Sequence, residues 1–289
     1  MQGLVRTSGI LKILPNQLAT MEALLPTLGE RHAIPPLTPA HGIKRKRVGL
    51  LLGCVQREFL SHINAATVRV LAAEGCEVVA PEQPCCGALL VHAGQEPPAL
   101  ALARKLIDVF ERANVDVIVT NAGGCGSNVR DYAHQLRDDP EYATRAQAFS
   151  EKCRDIAELL VELGPRAPRN PVRMRVAYHD SCHLQHAQKV RTQPRDLLAG
   201  IPEIEVVDIA EAALCCGSAG IFNMVQPETA NQLADRKADH ITALAPNVVA
   251  TGNPGCLIQL GSALRRKGSR IRVLHTVELI DASIRGDRP

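Results

Sequence analysis

Cys85-Cys86-Gly87-Ala88 returns 130 residues later as Cys215-Cys216-Gly217-Ser218. The recurrence extends outward in both directions. Cys54 lies upstream of the first pair and Cys182 upstream of the second. Downstream, Asn121-Ala122-Gly123-Gly124-Cys125 answers to Gly252-Asn253-Pro254-Gly255-Cys256. The four cysteines match at offsets of 128, 130, 130 and 131 residues, so eight of the ten cysteines fall into two copies of one pattern. Arg104-Lys105 and Arg236-Lys237 keep the register, and Ala157-Glu158-Leu159-Leu160 resembles Val277-Glu278-Leu279-Ile280. A period this long indicates duplicated domains rather than a solenoid.

Short apolar, partly β-branched runs read as buried strands. In the first copy they are 48–52, 77–80 and 115–120. In the second they are 175–178, 205–209 and 248–251, with a further strand at 271–274. Between them, Ala99, Ala103, Leu106, Ile107 and Phe110 share one helix face, as do Ala230, Leu233, Ala234, Ile241 and Leu244. Strands alternating with helices argue for an α/β fold with parallel sheets and right-handed crossovers. The expectation is two small, duplicated, Rossmann-like parallel-sheet domains, 48–170 and 171–289, in a pseudo-two-fold relation. Residues 1–47 are read as a basic arm or linker. Within it, 10–28 carries one or two short helices, three prolines lie between His32 and His41, and Lys44-Arg45-Lys46-Arg47 forms a solvated lead-in to the first strand.

Composition narrows the function. Hydrophobic residues make up 46% and charged residues 22% of the 289, an ordinary globular balance. No apolar run approaches the ~18 residues that a membrane span needs. Aromatic residues are only 2%, so the stacking platforms of single-strand nucleic-acid binders are missing. The charge is +5 over residues 1–47 and −2 over the remaining 242, which gives the body no basic footprint. No nucleic-acid partner is expected. The start of the sequence lacks a secretory pattern. Ten cysteines in a reducing compartment point to metal or catalysis rather than to disulfides. A cytoplasmic protein is expected, peripheral to the inner face of the cell membrane at most, and then through partners.

Each motif cysteine follows a strand, so Cys54, Cys85, Cys86 and Cys125 are expected to meet at one sheet edge, and Cys182, Cys215, Cys216 and Cys256 at another. The carboxyl edge of open α/β sheets is where ligands bind. Gly87 and Gly217, with Gly123, Gly124, Gly126 and Gly255, allow positive φ or close backbone approach, and their amides can donate to sulfur. Zinc accepts four thiolates but usually takes close Cys-x₂₋₄-Cys pairs, and the sequence has no Cys-x-x-Cys. Iron–sulfur clusters draw thiolates from separated loops, so spacing ranks them first, zinc second and a vicinal disulfide third. His179, Asp180, His183 and His186 crowd around Cys182. They are open to hydrogen-bonding, metal-ligating or nucleophilic Cys–His roles. His62 and His92 are read as ordinary surface or core residues. The repeated Arg-Lys pairs are read as solvated helix faces. Cys76 and Cys153, without partners in the repeat, are read as small apolar residues.

Five segments carry a resemblance to a known family. They are Gly53-Cys54-Val55-Gln56, Asn64-Ala65-Ala66-Thr67, Cys85-Cys86-Gly87-Ala88, Leu184-Gln185-His186-Ala187-Gln188-Lys189 and Leu214-Cys215-Cys216-Gly217-Ser218-Ala219-Gly220. The chain resembles the cysteine-rich CCG domain family over about 48–286, and within it the iron–sulfur subunits of glycolate oxidase. Lactate-utilisation and anaerobic glycerol-3-phosphate dehydrogenase subunits share the double layout. The resemblance implies a non-catalytic electron-transfer subunit with iron–sulfur clusters of 4Fe–4S type held by the eight motif cysteines. It also implies FAD on a flavoprotein partner that oxidises a 2-hydroxy acid, and electrons passed on toward a quinone. The alternatives are a zinc-bound or metal-free scaffold, and a thiol/disulfide reductase subunit acting through Cys182 and His183.

Two departures stand out. The family pattern often ends each copy in Cys-x-x-Cys, whereas the first of those positions is Ala122 here in one copy and Asn253 in the other. Residues 1–47 hold no cysteine, so the ferredoxin-like part of the glycolate oxidase subunits is expected on a separate subunit or lost.

Overall fold

A computed structural model describes residues 21–26 and 29–289. Most of the helical reading of 10–28 therefore lies outside the described residues, although 21–24 are helical.

Among the described residues, nine strands form two sheets. The first comprises β1 (Leu37–Thr38), β2 (Lys46–Leu51), β3 (Cys76–Val79), β4 (Val117–Thr120) and β5 (Cys153–Asp155), in the order β1-β3-β2-β4-β5. The second comprises β6 (Met174–Tyr178), β7 (Ile204–Asp208), β8 (Val248–Thr251) and β9 (Arg272–His275), in the order β7-β6-β8-β9. All pairs are parallel except β1 with β3. Apart from β1, each sheet thus repeats one order. The strand that opens each copy lies between the second and third, and the direction of winding reverses there. Val117–Thr120 and Val248–Thr251 are buried throughout, as strands covered on both faces must be.

The seven expected strands are present, with ends shifted by at most two residues. Two further strands, β1 and β5, have weak signals. β1 is two residues long among prolines, and β5 is the three-residue segment Cys-Arg-Asp. β1 makes 37–38 part of the first sheet rather than linker, and Ala80 donates to the Pro36 carbonyl at 2.9 Å. The basic run is likewise tied down. Lys46 and Arg47 begin β2, Arg47 pairs with Glu77, and Arg45 donates to the carbonyls of Leu163 and Gly164.

The two halves share their largest apolar core, which joins Val48, Leu50, Val70 and Leu159 to Val176, Leu198, Val277 and Ile280. Helix Ser61–Ala73 of the first half packs on Thr276–Arg285 of the second, and Ile156–Leu163 of the first packs on Gln193–Ala199 of the second. This reciprocal exchange is the expected pseudo-two-fold relation. Arg69 closes the first contact with a bidentate pair to buried Asp281 at 2.7 and 2.9 Å. Each half keeps a private core on its outer face. There Ala103, Leu106, Ile107 and Phe110 line one helix as expected, and Ala234, Ala238 and Ile241 line its counterpart.

The last helix of each half begins with the same device in different chemistry. Asp155 caps Ile156–Leu163 by accepting from the Ala157 amide, and Glu158 returns the bond to the Asp155 amide. In the second half His275 Nδ1 accepts from the Val277 amide, and Glu278 returns it. Such caps contribute about 1 kcal/mol each. Burial pushes Asp155 up to about 7 and Glu278 up to about 7, and it pushes His275 down to about 4. His275 is thus held neutral, with the His62 ring adding to the effect and the Asn121 backbone opposing it. A depressed histidine contributes stability that is complete above its unfolded value of ~6.5 and is lost as the pH falls through its folded value. The His275→Asn variant keeps a capping side chain without this proton. The unfolding free energy of the wild type relative to His275→Asn should therefore be constant above pH ~6.5 and shrink by about 3 kcal/mol toward pH 4. Urea titrations at successive pH values measure it. The Asp155 and Glu278 contributions, which run the other way, cancel in the difference, and a flat difference would exclude His275 as the titrating group.

Candidate metal centres

Parallel strands deliver the eight motif cysteines to two sheet edges. Cys54 begins a helix (Cys54–Phe59) three residues past β2, Cys85 and Cys86 lie on the loop after β3, and Cys125 lies in the first turn of Gly123–Arg130 after β4. The second set repeats this around β6, β7 and β8. Cys54 and Cys125, like Cys182 and Cys256, therefore flank the point where the winding of their sheet reverses, which is where such sheets bind ligands.

All ten cysteines are free thiols, so no vicinal disulfide joins 85–86 or 215–216. In the first set Cys85 Sγ lies 3.4 Å from Cys54 Sγ, and Cys86 contacts both Cys85 and Cys125. In the second, Cys216 Sγ lies 3.2 Å from Cys256 Sγ, and Cys215 contacts Cys182 and Cys216. The structure thus brings each predicted quartet together.

Each quartet holds one strongly favoured thiolate at its cysteine pair. Hydrogen bonds from Cys54 and Cys86 hold Cys85 far below the ordinary thiol range against the effect of burial, helped by the Gly87 amide at 3.4 Å and by Arg57. Cys215 is lowered in the same way by Cys182, Cys216 and the Gly217 amide at 3.3 Å. The donors rise in consequence. Cys54 and Cys182 are pushed up by the thiol they serve and by burial. Cys256 is lowered by Cys216, His179 and Asn253. Thiols that bond one another, with backbone amides aimed at sulfur, form a donor set suited to a thiophilic metal.

Gly87 and Gly217 make the geometry possible, with φ of 81° and 88°. Gly123, Gly126 and Gly255 have ordinary φ and serve close approach instead. A Cβ on Gly126 would lie 2.6 Å from the side chains of Gln188 and Thr120. Behind the first pair, the Cys86 carbonyl accepts from Tyr132 Oη at 2.6 Å and Asn128 Nδ2 at 2.7 Å.

The last loops of the two sets meet. Gly123 N donates to the Gly252 carbonyl at 3.0 Å, and Gly124 N donates to Asn253 Oδ1 at 3.0 Å. Asn253 Nδ2 reaches Cys256 Sγ at 3.5 Å. Asn253 and Ala122 stand at equivalent N-caps.

The two sites differ in access. The first opens on a cavity of about 550 Å³ between the halves, lined by Val55, Phe59, Leu89, Met224 and Ile258 and by Leu24 from the N-terminal segment. His92 and His183 face this cavity with ring centroids 5.4 Å apart. The second site has only a small cavity, walled by its four cysteines with His179, Asp180 and His186.

The histidine-rich segment divides accordingly. His179 is buried beside Cys216 and Cys256. Asp180 is engaged by Arg195 in a bidentate pair at 2.7 Å. His183 Nδ1 is 3.9 Å from Cys182 Sγ, and His186 is exposed. Cys76 packs in the shared apolar core and Cys153 in the outer core of the first half, which also takes in Cys86, with burial raising them to about 11 and about 12. His92, read as a surface or core residue, is exposed and also lines the first site's cavity. One reading needs correction. Lys237 is fully buried rather than solvated, with Nζ donating to the Glu211 carbonyl at 2.6 Å and the thiols of Cys215 and Cys216 among the charges it feels.

With this geometry, the chain belongs to the CCG cysteine-rich domain family, whose model matches residues 48–130 and 176–261. Among relatives, it is 39% identical to the probable glycolate oxidase iron-sulfur subunit of Bacillus subtilis, over 97% of this chain and 65% of that protein. It is 29% identical to lactate utilization protein A of Exiguobacterium sp., over 82% of this chain and 98% of that one. The chain thus spans just under two thirds of the glycolate oxidase relative. A hypothetical protein from Helicobacter pylori shares the fold, with a TM-score of 0.53 at 13% identity over 96% of this chain and 56% of that one. No helix among the described residues is long and apolar enough to cross a membrane.

The glycines provide a graded test. Alanine at either turn forces a left-handed conformation costing on the order of 1–3 kcal/mol. At 87 the new Cβ would meet the Ala99 backbone at 3.3 Å, but at 217 it would meet the Ala230 carbonyl oxygen at 2.3 Å. Gly217→Ala should therefore be the more destabilised of the two variants in thermal unfolding, and equal losses would show that φ alone matters.

Proposed function

We propose that this chain is the iron–sulfur electron-transfer part of a flavin-linked 2-hydroxy-acid dehydrogenase, glycolate being the first candidate substrate. Cys54, Cys85, Cys86 and Cys125 would hold one cluster, and Cys182, Cys215, Cys216 and Cys256 a second, one in each of the domains 48–170 and 171–289. The observation that carries this reading is the convergence of four free thiols at each of two equivalent sheet edges. Relatives named as iron–sulfur subunits of glycolate oxidase support it. Substrate oxidation would belong to a flavoprotein partner carrying FAD, with a ferredoxin-like subunit feeding electrons and a quinone receiving them. The clusters are proposed to be of 4Fe–4S type and the protein to work in the cytoplasm, against the membrane only through partners.

Bound clusters would supply one-electron redox chemistry, and the protein's own groups set the conditions. The Gly87 and Gly217 amides donate to sulfur and so stabilise the thiolate charge. Arg57 adds positive charge beside Cys85. Tyr132 and Asn128 fix the Cys86 carbonyl and with it the direction of the first pair.

Zinc is the second reading, favoured by one observation. The sulfur contacts of 3.4 and 3.2 Å are close to the ~3.8 Å edge of a tetrahedron with Zn–S of ~2.3 Å. Metal analysis of anaerobically purified and reconstituted protein separates the two. Iron with matching acid-labile sulfide is expected, falling by about half when Cys85 or Cys215 is changed to Ser. Stoichiometric zinc without sulfide would overturn the iron–sulfur assignment. Disulfide turnover lost on Cys182→Ser would point instead to a thiol reductase.

A further inference from the structure

The two sites are built on one plan, and one position departs from it in a way that matters to a metal. Three residues before Cys54 stands Leu51, and three residues before Cys182 stands His179. Both side chains are buried, each 2% exposed. Leu51 packs into hydrocarbon with Cys86, Ile118 and Phe110. His179 is held on the edge of β6 by its amide, which donates to the Ala250 carbonyl at 2.9 Å. Its ring lies with the thiols of Cys216 and Cys256, and a nitrogen and the two sulfur atoms fall within 4.8 Å of one another. Burying an imidazole where the repeat buries leucine is costly unless the ring has a partner. The groups facing it here are the Cys256, Cys216 and Cys215 thiols. Of the other polar groups of the segment, Asp180 is engaged by Arg195, His186 is exposed at the rim of the second site's cavity, and His183 lies 3.9 Å from Cys182 alone while facing the first site's cavity.

We propose that His179 is a fifth ligand of the second centre. That centre is then a mixed imidazole–thiolate site, and the first, with leucine in the same slot, is held by thiolates alone. The inference rests on the reading of both quartets as cluster sites. Imidazole brings no negative charge and is a weaker electron donor than thiolate, and histidine ligation raises the potential of iron–sulfur centres. Lys237 near the second centre has its counterpart in Arg57 beside Cys85 of the first, so the ligand difference decides between them. The second centre is therefore the more easily reduced of the two, which gives the duplicated fold a direction for electrons.

The test is pulsed EPR on the reconstituted full-length chain labelled with ¹⁵N-histidine, in the paramagnetic state of the second centre. A Cys85→Ser background removes the first centre's signal. A strong coupling from one directly bonded histidine nitrogen is expected, and His179→Leu should abolish it and shift the reduction potential of the centre downward in a redox titration. A spectrum with only weak couplings of the kind carried through hydrogen bonds overturns the proposal. So does a strong coupling that survives in His179→Leu, since the nitrogen would then belong to another histidine. Where the leucine variant fails to fold, His179→Gln, which keeps the volume and polarity but not the imidazole, takes its place. Protein that binds neither iron nor sulfide would remove the underlying reading instead, and that failure is read from metal content before any nitrogen coupling is measured.

Discussion

Cysteines as widely spaced in sequence as Cys54, Cys85, Cys86 and Cys125 share one site here because their loops leave a sheet on the same edge, and much of this fold follows from meeting that condition twice. Parallel strands satisfy it because all their carboxyl ends point one way, and the reversal of winding beside the first strand of each copy opens a gap between adjacent loops. Electrostatics then limits what the site can be. Thiols so close and partly shielded from water cannot all ionise. At each cysteine pair one sulfur, Cys85 or Cys215, is favoured as thiolate, with Cys256 also favoured in the second set, and their neighbours Cys54, Cys86, Cys182 and Cys216 are driven the other way. Like charges in partly desolvated space oppose one another until a cation joins them. The amides of Gly87 and Gly217 contribute fixed dipoles toward that end, but they do not replace a full positive charge.

The halves are related by a pseudo-two-fold exchange of helices, so neither copy buries its inner sheet face alone. Helix Ser61–Ala73 needs Thr276–Arg285, and Ile156–Leu163 needs Gln193–Ala199. A shared core of this kind lets individual positions drift apart chemically without loss of the scaffold. The N-cap is aspartate in one copy and histidine in the other, yet both complete the same reciprocal bond with the glutamate three residues on. The slot before the first cysteine is leucine in one and histidine in the other. The cavity beside the cysteines is wide at the first site and nearly closed at the second.

Much of this was legible in the sequence because it rests on spacing. The offsets of the cysteines announced the duplication, and apolar runs of β-branched residues located seven strands. The loop positions of Cys54, Cys85, Cys86 and Cys125 predicted their meeting. β1 and β5 were not legible: two or three residues carry no periodicity, and both strands exist because a neighbour offers an unpaired edge. Lys237 shares its Arg-Lys motif with a lysine of the first copy, and only the Glu211 carbonyl, brought in by a distant loop, makes its burial tolerable. His92 could not be placed because its cavity is formed between the halves.

The contact between the copies also bears on how the proposed centres would communicate. Asn253 holds the loop of Cys125 through the Gly124 amide and touches Cys256 through its own amide nitrogen, so one side chain spans from one cysteine loop to the other. Gly123 and Gly252 add a direct backbone bond, and Gln188 Nε2 donates to the Gly123 carbonyl at 2.9 Å from the histidine-bearing segment. A thiol at position 253 would be one more charge to neutralise at the second site. The carboxamide is neutral, donates to sulfur on one side and accepts from backbone on the other. On the proposed reading it fixes the separation of the two centres while favouring negative charge at Cys256, a role that cysteine in its place does not fill.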